Sequence, residues 1–451
     1  MGQDVADEGP LTRDRLVSYL AAGAKPREAY RIGAEHEKFP FRSGSYAPVP
    51  YQPEGIRALL EGLQRYGWSP DFEGENVIAL TRGGASVSLE PGGQFELSGA
   101  QLESIHDIAD ETAAHLVEAK AVAEPLGIGF LGMGMTPLWP RDEIPVMPKG
   151  RYRIMREYMP TRGKLGLDMM FRTCTVQANL DFSAETDMAA KFRTSLALQP
   201  IATALFANSP FTDGRPNGFL SFRANIWTDT DPDRTGMLDF VFEDGFGYER
   251  YVDYALDVPM YFAKRDGQYV DLSGRSFRDF IDGRLDALPG QRATMKDWAD
   301  HLTTIFPEVR LKQYLEMRGA DCGPFERLVA LPALWVGILY DEAALAAAWD
   351  LARDWTAEDR VKLRADVTRL GLKAEVAGRS VQHVAQDLVA IAREGLRNRA
   401  RRGPTLADET AYLNPLDEIA ASGITPAERL LDRYHGPWNG DVRNAFDELA
   451  Y

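Results

Sequence analysis

The chain has 451 residues, 45% of them hydrophobic, with a formal net charge of −16 and a pI near 5.0. That length allows a large buried core and, as a prior, two to three domains, while the acidic balance argues against nucleic acid and anionic membrane surfaces as partners. Two cysteines, Cys174 and Cys322, exclude a disulfide scaffold and a cysteine-built zinc site.

The start, Met1-Gly2-Gln3, resembles an N-myristoylation start, but Ala6 stands where Ser or Thr is wanted, and no signal-peptide pattern follows. The longest uncharged apolar run, Leu328 to Tyr340, is shorter than the roughly 18 residues of a spanning helix and contains Pro332. The expectation is a soluble, cytoplasmic protein with both thiols reduced.

In chain order, Leu11–Ala22 reads as helix, the segment around Glu35 as strand and Glu54–Tyr66 as helix. Asn76–Leu80, Ala85–Glu90 and Gln94–Leu97 read as an antiparallel meander turned at Gly83-Gly84 and Pro91-Gly92-Gly93. A long amphipathic helix covers Gln101–Leu126, ends at Gly127 and leads into an apolar strand, Ile128–Met133. Arg151–Tyr158 and Met188–Phe206 are helical, Thr173–Phe182 alternates like a half-buried strand, and Pro259–Phe262 and Gln313–Arg318 are short strands. Beyond a boundary near residue 325 only helical spacing remains, at Leu339–Leu351, Ala357–Leu370, Val381–Leu396 and Pro426–Arg433. The predicted architecture is α+β: residues 1–325 form a catalytic body with a largely antiparallel sheet, and residues 326–451 form a helical region packed on it.

Side chains two apart on a strand share a face. Arg31-Ile-Gly-Ala-Glu-His-Glu-Lys-Phe-Pro-Phe41 therefore puts Glu35 and Glu37 together, with His36 on the opposite face as a packed core residue. Ser88-Leu-Glu-Pro-Gly-Gly-Gln-Phe-Glu-Leu-Ser98 groups Gln94, Glu96 and Ser98. Glu90 joins Glu96 only if the turn between them has three residues; with two, the register slips and Glu90 changes face. Carboxylates stacked on one face repel and call for a hard cation such as Mg²⁺. Two further segments repeat the spacing, Gln177/Asn179/Asp181 and Glu316/Arg318. A solvated polar face is the ordinary reason for such alternation, but amides, acids and an arginine on several strands suit a bound ligand. Arg151 after Lys149, Arg223, Arg234 and Arg318 supply the forked donors that phosphates and carboxylates need. No P-loop occurs, and Gly127-Ile-Gly-Phe-Leu-Gly132 is a helix stop followed by a strand rather than a dinucleotide turn. Any ATP chemistry would therefore rest on carboxylate-held Mg²⁺ with Arg and Lys.

Several long stretches, read together, resemble the plant-type glutamate–cysteine ligases, a group also found in proteobacteria, and the chain reads as a proteobacterial member. They include Gly33-Ala-Glu-His-Glu-Lys-Phe39, Leu89-Glu-Pro-Gly-Gly-Gln-Phe-Glu-Leu-Ser-Gly99, Ile144-Pro-Val-Met-Pro-Lys-Gly-Arg-Tyr152 and Gly166-Leu-Asp-Met-Met-Phe-Arg-Thr-Cys-Thr-Val-Gln-Ala-Asn-Leu-Asp-Phe182. Ile226-Trp-Thr-Asp-Thr-Asp231, Tyr254-Ala-Leu-Asp-Val-Pro-Met-Tyr261 and Tyr314-Leu-Glu-Met-Arg-Gly-Ala-Asp321 complete the set.

The resemblance implies a glutamine-synthetase-like fold whose curved sheet lines the active site. It also implies the reaction: ATP phosphorylates the γ-carboxylate of glutamate, and the cysteine amine attacks the acyl phosphate to give γ-glutamylcysteine for glutathione synthesis. Its implied roles are Glu35, Glu37, Glu90, Glu96 and Glu316 as Mg²⁺ ligands, and Gln177, Asn179, Lys149 and Arg234 at the nucleotide. Arg318 would stabilise the transferring phosphoryl group. Arg223 with Trp227 would hold the α-carboxylate of glutamate, with Arg151 also on the substrate side, and Tyr261, Met169 and Met170 would form the cysteine pocket. The expected partners are glutamate, cysteine and ATP, with the protein a monomer or homodimer. Cys322 replaces an expected glycine, and two cysteines cannot carry the plant disulfide scheme whole. A related ligase with another amine acceptor is the nearest alternative; a non-catalytic glutamate- or nucleotide-binding protein is the other.

Overall fold

A computed structural model describes residues 9–404 and 406–451; the Met1-Gly2-Gln3 start lies outside the described residues. One nine-stranded sheet organises the molecule. Its strands are β1 Ile32–Arg42, β2 Ser69–Glu73, β3 Asn76–Arg82, β4 Ala85–Leu89, β5 Phe95–Ser98, β6 Ile128–Leu131, β7 Thr175–Leu180, β8 Val309–Leu311 and β9 Leu315–Asp321. Their order is β8-β9-β7-β1-β5-β4-β3-β2, with β6 pairing the far half of β1, and every pairing is antiparallel. β1 is long because it serves both halves: residues 32–38 pair with β5 and β7, and 39–42 pair with β6.

The apolar face of the sheet is covered by the Ile105–Ala123, Glu185–Phe206 and Phe325–Leu339 helices. The first is started by a capping box, Ser104 with Asp107, and its extension ends at Gly127, whose φ of 62° is cheap only for glycine. The Phe325–Leu339 helix is apolar all round because it is buried from Arg327 to Leu339, against the sheet, the Ile105–Ala123 helix and the Val381–Arg399 helix. No single helix among the described residues is long and apolar enough to cross a membrane. One contiguous apolar core runs from Leu11 to Phe446, so the helices after residue 325 share the core of the sheet.

Three segments differ from expectation. The predicted strand Pro259–Phe262 begins only at Phe262 and runs to Arg265, because the backbone before it bonds elsewhere: Arg234 donates to the Pro259 carbonyl and Met260 N–H donates to Arg275 O. The helix predicted over Leu339–Leu351 begins only at Glu342, where the Asp341 side chain caps it, and runs to Ala352; a separate helix, Phe325–Leu339, precedes it at an angle of 95°. β7 is not half-buried: only Asn179 escapes full burial, since helices cover one face and the site roofs the other.

Candidate active site

The register places the polar residues in rows across one sheet face. Glu37 lies opposite Glu96, which lies opposite Ser88; Glu35 lies opposite Ser98 and Gln177; Asn179 lies opposite Gly33 and Glu316, which lies opposite Arg310. Glu90 N–H donates to Gln94 O and Gly93 N–H to Glu90 O, so the turn has three residues and Glu90 stands on the same face as Glu96. The other parity holds too. His36 points into the core, where its ring meets His115 edge-on at 5.6 Å with neither imidazole hydrogen-bonded.

A cleft of about 110 Å³ opens on this face, walled by Glu37, Glu90, Arg151, Met169, Met170, Arg223, Trp227 and Arg318 among others. That is smaller than the roughly 300–1,000 Å³ of common small-molecule sites. The acids have few partners. Glu35 accepts one bond from Asn179 Nδ2 at 2.7 Å, Glu37 one from Thr175 N–H at 3.0 Å, and Glu96 one from Ser88 Oγ at 3.0 Å. Burial, then Glu316 and Glu96, pushes Glu35 up to about 7. Burial, Glu96 and Glu90 push Glu37 well above the ordinary carboxylate value, and burial and Glu90 raise Glu96. This row is short of positive charge.

The other end of the face has a surplus. Glu316 is wholly buried, and Arg310 Nη2 donates to both of its oxygens at 2.7 and 2.9 Å; Lys312 Nζ lies 3.0 Å away, and Arg318 Nη1 also donates to it. Burial alone would raise this carboxylate, but the three cations hold it well below its ordinary value. Arg318 Nη1 bonds Gln177 Oε1 at 2.7 Å, and a bulge between Met317 and Ala320 lets Arg318 N–H reach Glu308 O. The expected metal role of Glu316 meets a physical obstacle here, because a carboxylate facing three cations needs no fourth. Arg310 and Lys312 were missed from sequence, although Val309-Arg310-Leu311-Lys312 carries the same alternation.

Arg223 is positioned by a short helix, Phe222–Ile226, whose cap is Ser221. The buried Asp321 carboxylate accepts from Asn208 N–H, Ser209 Oγ and Ser221 Oγ at 2.7–2.9 Å, and Ser209 Oγ accepts from Arg223 N–H. Arg223 is 2% exposed and donates to Arg318 O, while its Nε and Nη1 have no partner, nor does Trp227 Nε1. Arg151 lies 3.9 Å from Glu90.

Other expected residues fall outside the cleft wall. Arg234 is fully buried and committed to Asp231, Thr304 O and Pro259 O, with the Tyr261 ring 3.9 Å from its guanidinium. That stack turns both Arg234 and Tyr261 inward. Lys149 donates to Leu89 O at 2.9 Å and borders the neighbouring groove. Gln177, Asn179, Glu35 and Glu96 share the sheet face of Glu37 but are not among the residues that wall the cleft. Met155 and Phe306 join Met169 and Met170 in its apolar wall.

Several buried acids short of cations, facing a cluster of basic groups on an antiparallel sheet, suit a ligase of the glutamine-synthetase-like class, which activates a carboxylate with ATP. The chain belongs to Glutamate-cysteine ligase family 2 (GCS2), whose profile matches residues 31–448. It is 59% identical to the chloroplastic glutamate–cysteine ligase of Nicotiana tabacum over 98% of this chain and 83% of that one. It is 57% identical to the chloroplastic enzyme of Arabidopsis thaliana, over the same shares. The fold also matches a glutamate–cysteine ligase of Francisella tularensis solved in complex with AMP, at a TM-score of 0.56 and 12% identity, covering 93% of this chain and 89% of that one. The plant relatives are chloroplastic, which overturns the cytoplasmic expectation. Reduced thiols and an acidic composition cannot separate one reducing compartment from another.

Among the described residues no three acids, histidines or thiols converge tightly enough to make a closed cation cage. The residues nevertheless fit Mg²⁺, since Glu35, Glu37 and Glu96 stay raised by burial and by each other despite the cations nearby, and Mg²⁺ ordinarily takes only one or two carboxylates, with water and substrate phosphates completing its shell.

Proposed function

We propose that the protein ligates the γ-carboxylate of L-glutamate to the amine of L-cysteine at the expense of ATP, giving γ-glutamylcysteine, the first step of glutathione synthesis. The observation that carries the reading is the opposition, on one sheet face, of the uncompensated row Glu35, Glu37 and Glu96 to the cationic cluster Arg310, Lys312 and Arg318. Glu35, Glu37, Glu90 and Glu96 would hold Mg²⁺, which when bound neutralises charge on the ATP phosphates. Glu316 keeps Arg310, Lys312 and Arg318 together as an anion-facing set, and Gln177 and Asn179 orient Arg318 and Glu35. Arg223 and Trp227, with free donors on both, take the α-carboxylate of glutamate. Its γ-carboxylate oxygen attacks the terminal phosphorus of ATP and ADP leaves. The cysteine amine then attacks the acyl carbon; its C–N bond forms as the acyl C–O bond to phosphate breaks, phosphate leaves, and the proton released from the amine passes to water. Met169 and Met170, in the apolar wall of the cleft, would take the cysteine side chain.

Within this proposal residues 1–325 carry the chemistry and 326–451 back it. The narrower proteobacterial assignment stays part of it, supported only by a cysteine complement too small for the plant disulfide scheme. Measuring ADP release with glutamate and a panel of amino acids tests the function. Cysteine should stimulate release most; a stronger response to another acceptor would move the protein to a related ligase, and none at all would refute the proposal.

A further inference from the structure

A second cavity, of about 490 Å³, opens between the Phe325–Leu339, Asn414–Ser422 and Pro426–His435 helices. None of its lining residues lines the cleft, and its volume lies within the roughly 300–1,000 Å³ of small-molecule sites. Pro324, Ile419 and Leu430 give it an apolar wall, into which Arg327, Arg429 and Arg433 bring guanidinium groups, with Glu326 and Glu418 also on the lining. Arg429 and Arg433 are half exposed and paired with Glu418 and Glu448, as surface arginines usually are.

Arg327 differs from both. It keeps only 8% exposure, its Nη1 is buried without a partner, and among the described residues its guanidinium makes no ion pair. It lies against Gly323, where an added Cβ would come within 2.7 Å of its Nε, so that glycine leaves the space it occupies. Burial pushes its pKa down to about 10. The carboxylates of Asp321 and Glu326 favour its charge from a distance, but neither bonds it, and the helices hold the guanidinium at the wall of a cavity of ligand size. A buried donor bonded to no acceptor is unfavourable, which favours an acceptor from outside the chain.

We propose that this cavity is a second ligand site, which takes a small molecule bearing a carboxylate or phosphate on the fork of Arg327, with Arg429 and Arg433 at its rim. A planar five-donor fork suits both anions. The site is also close to the catalytic machinery. Asn208 lines the same cavity, its N–H donates to Asp321, and Asp321 holds the two serines that fix the helix of Arg223. The inference stands on Arg327 and the cavity, not on the proposed reaction.

The test is calorimetric titration of the full chain with sodium phosphate and, separately, with sodium succinate. Wild type is expected to bind at least one of them saturably. Affinity should fall about tenfold or more in Arg327→Met and about threefold in Arg429→Ala/Arg433→Ala, and should persist in Arg223→Ala/Arg318→Ala. The tighter of the two anions identifies phosphate or carboxylate as the natural group. Absence of saturable binding, equal affinity in wild type and Arg327→Met, or loss in the Arg223→Ala/Arg318→Ala protein would each overturn the proposal, the last by placing the anion in the cleft. If Arg327→Met does not fold, the rim variant decides, and unchanged affinity there counts against the site.

Discussion

Glu35 and Glu37 are carboxylates buried beside other carboxylates, and their behaviour follows from that position. Glu35 releases its proton near 4.5 in the unfolded chain and near 7 in the folded one. Between those values the native state binds more protons, so its contribution is fully present below pH 4.5 and is lost as pH rises toward 7. In thermal melts without divalent cations, the wild type should lose stability relative to Glu35→Gln over that interval. Added Mg²⁺ should restore more stability at the upper end than at the lower; parallel melting curves at all pH values would refute the linkage. Glu35→Gln and Arg318→Ala should each lower turnover by about a hundredfold or more with the far-UV spectrum intact, as lost electrostatic stabilisation typically does. Near-normal turnover in both would remove these residues from the site.

At the level of elements, the β4–β5 hairpin sets the acidic row. Its three-residue turn fixes Glu90 and Glu96 on one face, and Gly93, at φ 85°, supplies a conformation costly for other residues. Gln94 fastens this turn to the opposite wall: its Nε2 donates to Met170 O and Thr173 O, and its Oε1 accepts from Gly92 N–H. Gln94→Ala leaves buried groups unpaired and should cost about 1–3 kcal/mol in chemical denaturation. Because the strap joins the acids to the methionine wall, KM should rise by a larger factor than kcat falls. A stability loss with both kinetic constants unchanged would show that the strap is merely structural.

At the scale of the whole molecule, the helical region after residue 325 contributes to the cleft as well as to the core. Arg364, on the Ala357–Leu370 helix, donates to Glu308 Oε1 at 2.9 Å and to Trp227 O at 3.2 Å. Glu308 O in turn accepts from Arg318 N–H. One arginine thus ties both the Trp227 turn and the Arg318 bulge to a helix that no sequence motif linked to chemistry. Arg364→Ala should raise KM for glutamate about threefold to tenfold while KM for ATP stays unchanged, and Arg364→Lys should recover part of the effect. Equal changes in both KM values would point instead to general loosening.

Strand alternation needs only local spacing, so the residue order alone determined that Glu35 and Glu37 share a face, that His36 opposes them, and that Glu316 shares a face with Arg318. The helical spacing of Ala357–Leu370 and the stop at Gly127 were legible for the same reason. What depends on distant segments was not. The hairpin register, the pairing of Arg310 and Lys312 with Glu316, the inward turn of Arg234 onto Tyr261, and the reach of Arg364 to Trp227 each join segments brought together only by folding. A lone segment specifies the face its side chains take. Which charge stands opposite, and whether a carboxylate is left short of cations or saturated with them, is decided when the strands pair and the core closes.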